Sequence, residues 1–127
     1  MRTATVSLDG EDRLLCFSMG VMEDVYRDFG DLQGLFDAMN GKTHNPIRAI
    51  IWALERMMDA GAKYAARKGI QAAPPLTADE LREVCDLSDF TGLRQAVLNT
   101  ITAGSEREVE AEPPKNGTAT PAEIRAL

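Results

Sequence analysis

The chain has 127 residues with a hydrophobic fraction of 44%, enough for one domain with its own core and too apolar for disorder throughout. It carries 20 acidic against 14 basic side chains, a net charge of −6, which excludes phosphate backbones as natural partners unless the few cations cluster. Two cysteines and one histidine are too few for a disulfide framework or a structural zinc site.

In chain order, Thr3 to Leu8 alternates, with Ala4, Val6 and Leu8 on one face and Thr3, Thr5 and Ser7 on the other. Asp9-Gly10 is a two-residue hairpin signal, and Arg13 to Phe17 is the returning strand, with Cys16 a small buried hydrophobe. An isolated hairpin is marginal in water, so its apolar face must lean on helices. Ser18 caps a helix over Met19 to Phe29 whose inward face is Met22, Val25, Tyr26 and Phe29, and Gly30 stops it. Asp31 caps a shorter helix with Leu32, Leu35, Phe36 and Met39 inward, and Asn40-Gly41 ends it.

The longest segment is Asn45 to Gly69. Asn45 is a good N-cap, Pro46 suits the first helical position, and Gly69 can close the far end in a left-handed conformation. Between them Ile47, Ile50, Ile51, Leu54, Met57, Met58, Ala62 and Ala65 recur at helical spacing. At about 1.5 Å per residue the helix runs roughly 35 Å, so the other elements must pack on it. Pro74-Pro75 breaks the following loop. Thr77 and Glu80 form a capping-box pattern opening a helix to Leu87, with Leu81, Val84 and Cys85 inward. A last helix spans Asp89 to Ala103, buries Phe90, Leu93, Val97 and Ile101, and ends at Gly104.

These elements predict an α+β fold: an N-terminal β-hairpin packed on a mainly α-helical body of about five helices, over residues 1–104. Residues 105–127 read as a flexible, acidic, Pro-containing tail. Within it, 105–119 is a solvated linker, and the terminal TPAEIRAL repeats a capping-box pattern able to form a turn or two of helix. Ile124 and Leu127 there need a partner surface.

Catalytic equipment is sparse. His44 sits in the loop before the long helix, where capping or surface exposure is ordinary, and nothing local pairs it with Cys16 or Ser18. The carboxylate pairs Glu23/Asp24, Asp79/Glu80 and Asp86/Asp89 lie near helix ends or on polar faces. The Asp24, Asp28 and Asp31 spacing does not reproduce a calcium loop, and no glycine-rich phosphate loop is present. Arg56, Lys63, Arg67 and Lys68 lie mostly in the last turns of the long helix, where cations oppose its dipole. No catalytic, cofactor or metal residues, no nucleic-acid partner and no membrane span are therefore expected, and the expected compartment is the cytoplasm. Met57 and Met58 are not expected to point fully inward together beside Leu54, and Trp52 and Tyr64 fall off the main stripe. With Ile124 and Leu127, the residues Trp52, Met57 and Tyr64 are the candidate contacts for another chain.

Taken together, TVSLDGEDRLLCFSMGVMEDVYRDFGD, LQGLFDAMN, NPIRAIIWALERM and PLTADELREVCDLSDFTGLRQAVLNTI resemble the tail assembly chaperones of tailed bacteriophages and prophages over residues 3–103. In that family a hairpin leads into a short acidic helix, then a Leu/Phe-rich turn, an Arg-x-[LI]-[LIV]-[WY]-Ala helix and a [LT]-[TS]-x-[ED]-[ED]-[LV] segment. Leu35-Phe36, Arg48 to Ala53 and Leu76 to Leu81 are the corresponding stretches here. The resemblance implies a non-enzymatic protein of the bacterial host cytoplasm that keeps the tape-measure protein soluble and helps tail-tube protein polymerise around it, with homo-oligomerisation open. It implies no client-binding residues. The alternatives are a structural tail component, such as a tube or connector subunit, and a small regulatory protein with a helical DNA-binding unit, which the acidic balance disfavours.

Overall fold

Asp9 and Gly10 both take positive φ, 53° and 78°, the turn geometry whose twist matches that of the flanking strands. It joins β1 (Thr3–Leu8) to β2 (Glu11–Cys16), which pair antiparallel with Leu8 opposite Glu11 and Thr3 opposite Cys16. The structure, a computed structural model, describes residues 3–105. Beyond the hairpin come α1 (Met19–Phe29), α2 (Leu32–Met39), α3 (Pro46–Lys68), α4 (Ala78–Val84), a 3₁₀ turn (Leu87–Asp89) and α5 (Phe90–Ser105). Of the tail expected over residues 105–127, Ser105 is instead the last residue of α5, and 106–127 lie outside the described residues.

The caps form as their sequences require. The Ser18 hydroxyl accepts from the Val21 N–H at 3.3 Å, Asp31 from Gly34 at 2.8 Å, and Asn45 from Ile47 at 2.9 Å. Gly69 closes α3 at φ 68°. Thr77 and Glu80 exchange both hydrogen bonds of a capping box, at 2.9 and 3.1 Å.

α3 is the axis of the molecule. The hairpin crosses it mainly through β2, α5 lies against both α3 and β1, and α1, α2 and α4 border its remaining sides. Gly61 marks the closest approach: a Cβ built there would collide with the carbonyl of Leu14. Enclosure from several sides overturns one expectation, because Met57 and Met58 are both fully buried beside Leu54. A helix with neighbours around most of its circumference needs more than one inward stripe.

Other faces also differ from the sequence reading. In α1 the buried pair is Val21 and Val25, while Tyr26 is exposed. Met22, Val25 and Phe29 pack on the core as expected, Val21 joins them, and only Tyr26 of the expected face turns outward. Ile47 and Val84, expected inward, are exposed. The helix opened by Thr77 ends at Val84, since Asp86 turns its carboxylate onto the Ser88 N–H at 3.0 Å and diverts the backbone into the 3₁₀ turn. Gly104 does not end α5. It lies within the helix, where a Cβ would come 2.6 Å from the Cβ of Phe17. The glycine is there for close packing.

Arg13 is a further departure. It sits on β2 only 3% exposed, its Nε donating to the Leu8 carbonyl at 3.4 Å and its Nη1 to the Pro74 carbonyl. Glu11 lies 4.0 Å from its other terminal nitrogen. The guanidinium thus ties the 70–77 loop to the hairpin. Two further bonds tie the end of the loop and the start of α4 to α3: Leu76 N–H to Met58 Sδ at 3.3 Å, and Ala78 N–H to Glu55 at 2.8 Å.

Candidate functional site

Among the described residues, concavities along α3 are separated by their chemistry, and three of them bear on function. The largest, about 680 Å³, lies between α1, α3 and the 74–77 loop. Its charges are mostly paired among themselves: Arg56 with Asp24 at 3.3 Å, Lys63 with Asp59 at 3.0 Å, and Glu55 with the first turn of α4. A cleft whose polar groups already satisfy one another presents little unmet chemistry to a ligand.

The second, about 260 Å³, surrounds Trp52. The indole packs edge-on against Phe29, 4.9 Å between centroids, under the Arg56 guanidinium at 4.3 Å, and its Nε1 donates to Asp28 at 3.2 Å. Asp28 is held below the usual carboxylate range, first by its hydrogen bond from Arg27 and then by the Arg27 charge, the Trp52 bond and Arg56, against some desolvation. His44 lies edge-on to Phe29 at 5.2 Å and shares a 2.8 Å hydrogen bond with Thr43. Trp52 is therefore half-buried and already committed on several sides. The cluster staples α1 to α3.

The third opens between α3, α4 and the start of α5, with a volume of about 280 Å³. Its walls are almost wholly apolar: Ile47, Ile50, Ile51 and Leu54 from α3, Leu81 from α4, and Phe90 and Leu93 from α5. Arg82 and Asp86 are its charged residues. Cys85 lines it half-buried, its thiol pushed up by desolvation and by the nearby Asp89 and Asp86 carboxylates. On the rim Ile47 is 53% and Leu87 87% exposed, and Val84 stands out on the same α4 segment. Exposed large apolar side chains beside an apolar hollow are what a protein-binding surface requires.

Compared with protein-family models, curated proteins and solved structures, the chain matches none significantly.

Of the residues expected to contact a partner, Met57 is withdrawn: it is 0% exposed, filling the core between α3 and its neighbours. Trp52 and Tyr64 are half-buried on α3, and neither lines the apolar groove. Ile124 and Leu127 lie outside the described residues. The residues that the sequence reading missed are Ile47 and Val84, which helical periodicity assigned inward, and Leu87. For Leu87 a signal was present, since Asp86-Leu87-Ser88-Asp89 is itself a capping sequence that turns the backbone and leaves Leu87 pointing out. Among the described residues no cluster of three or more His, Cys, Asp or Glu is arranged to hold a metal ion, and no helix is long and apolar enough to cross a membrane.

Proposed function

We propose that this protein is a non-enzymatic assembly chaperone of the phage or prophage tail type, which holds an amphipathic helical segment of a tape-measure protein and assists tail-tube assembly. The observation that carries the reading is the open apolar groove between α3, α4 and α5, with Ile47 and Leu87 exposed on its rim. A helix can lay its i, i+3, i+4 side chains into such a groove. The order of sequence elements, from the hairpin through Arg48 to Ala53 and on to Leu76 to Leu81, supports the same reading by its resemblance to those chaperones.

Co-expression with a phage tape-measure protein, taken from the same genome, tests the proposal. The expected result is a soluble complex that Ile47→Asp weakens. A tape-measure protein that stays insoluble and unbound would count decisively against it. Recovery of this protein as a stoichiometric part of purified tails would favour a structural subunit instead.

A further inference from the structure

The hairpin is a sheet of two strands, so each strand keeps one outer edge, and the two edges are treated differently. With Leu8 and Glu11 closing the turn, the ladder bonds join Ala4 to Leu15, Val6 to Arg13 and Leu8 to Glu11. The main-chain groups of Asp12 and Leu14 therefore point out of β2, and those of Thr3, Thr5 and Ser7 out of β1. Beyond β2 stands α3, whose Gly61 meets the Leu14 carbonyl with no room for a methyl group. Beyond β1, no donor or acceptor among the described residues pairs with the main chain of Thr5 or Ser7.

Edge strands that must stay single are blunted by a lysine, a proline or a bulge. β1 has none of these: its register with β2 is unbroken and Thr3–Leu8 carries no charge. α5, which lies against β1, is uncharged at its exposed positions as well, Thr91, Gln95, Asn99, Thr102 and Ser105 among them. Its one ionised residue, Arg94, is bonded to Asn40. Depletion of charge is the compositional mark of an interface core. We propose that the β1 edge pairs with the β1 edge of a second copy of this chain, antiparallel and centred on Thr5, to give a four-stranded sheet in the order β2-β1-β1-β2.

The strand is its own complement. With Thr5 opposite the partner's Thr5, Thr3 falls opposite the partner's Ser7 and Ser7 opposite the partner's Thr3, so every outward residue of β1 exchanges both its hydrogen bonds. A slip of two residues in either direction leaves one of them unpaired. The same register keeps Ala4 and Val6 of both copies on the helix side, and the two apolar faces run on as one. Charge selects this occupant too. Arg2 precedes the strand and Asp9 follows it, so antiparallel order brings the cationic end of each β1 to the anionic end of the other. The acidic hairpin tips, with Asp9, Glu11 and Asp12, go to opposite ends of the shared sheet, about 20 Å apart or more, well beyond the screening length of about 8 Å. The two-fold axis closes the assembly, because the edges left over belong to β2 and α3 already covers them. A strand-to-strand contact of this size is small, so the dimer is weak and concentration-dependent.

Sedimentation velocity of the full-length protein alone, across a concentration series, tests the pairing without any client. The expected result is a monomer–dimer equilibrium that Thr5→Lys and Thr5→Glu each weaken at least about tenfold, because either one sets like charges face to face on the two-fold axis. Mixing the two variants restores association, which only a contact with Thr5 opposite Thr5 predicts. Thr5 is exposed, so both variants keep the circular dichroism of the parent. Amide exchange followed by NMR gives a second readout: Thr5 and Ser7 slow as concentration rises, while Val6, already in the ladder, changes least. A protein that stays monomeric throughout overturns the proposal, as does a dimer indifferent to both variants or a mixture that fails to associate. So does a monomer whose Thr5 and Ser7 amides are slow at every concentration, which would assign the edge to the chain's own residues. The pairing does not rest on the chaperone reading: a dimer that leaves the tape-measure protein insoluble sinks that reading alone.

Discussion

The two flanks of α3 are built on opposite terms. Toward β2 the helix is pressed so close that Gly61 has no room for a methyl group against Leu14, and Leu15, Met57 and Met58 lose all or nearly all contact with solvent. Toward α4 and the start of α5 the same helix leaves a hollow and an exposed Ile47. The first flank is packed to interior density, where displacing an atom is expensive; the second keeps apolar surface in water that a self-sufficient fold would cover. The contrast teaches that close packing and uncovered apolar surface are divided between the two sides of one helix, so substitutions should separate their effects.

The sharpest break is Gly61→Ala. In an exposed helix that change gains about 1 kcal/mol, but here the new methyl group meets the Leu14 backbone, and a loss of about 3 kcal/mol is expected from urea unfolding. A neutral or stabilising result would mean that the β2 flank is looser than described. Arg13→Ala comes next. It strips hydrogen bonds from the Leu8 and Pro74 carbonyls and empties a buried space, so about 2 kcal/mol should be lost in the same measurement. Thr77→Ala removes half of a capping box and should cost about 1 kcal/mol, with amide exchange accelerated through α4 and little change in the hairpin.

The mildest test sits on the open flank. The Ser88 hydroxyl, and then its N–H, donate to Asp86 and hold that carboxyl below its ordinary value. A carboxyl depressed in the folded state contributes stability in full above the unfolded value and loses it as pH falls through the lowered folded one. Ser88→Ala should move the Asp86 titration, followed by NMR, back up toward the ordinary range and shrink that acid-side dependence.

Much of this fold was legible locally. Ser18, Asp31, Asn45-Pro46, Gly69 and the Thr77/Glu80 pair each satisfy orphan backbone groups within a few residues of themselves, so their sequence determines their role. Asp9-Gly10 is read the same way. The groove was not legible, because periodicity marks which residues are apolar and says nothing about which of them find a neighbour. Ile47 and Val84 kept the helical rhythm yet lack cover, while Met57 and Met58 both gained it from elements far away in sequence. Nothing local to Arg13 signals that the 70–77 loop closes over it, and Gly104 looked like a helix stop until Phe17 packed against it.

The moorings of the 70–77 loop have a mechanical consequence. Arg13, Glu55 and Met58 pin the chain as it enters α4, whereas the far end of that helix runs straight into the turn bearing Leu87. One wall of the groove is thus fastened at both ends, at its base by these bonds and at its tip by the hydrogen-bonded turn that leads into α5. Such a wall behaves as a beam clamped at each end, so the outline of the hollow is set by these anchors and by the packing of α5 beneath them.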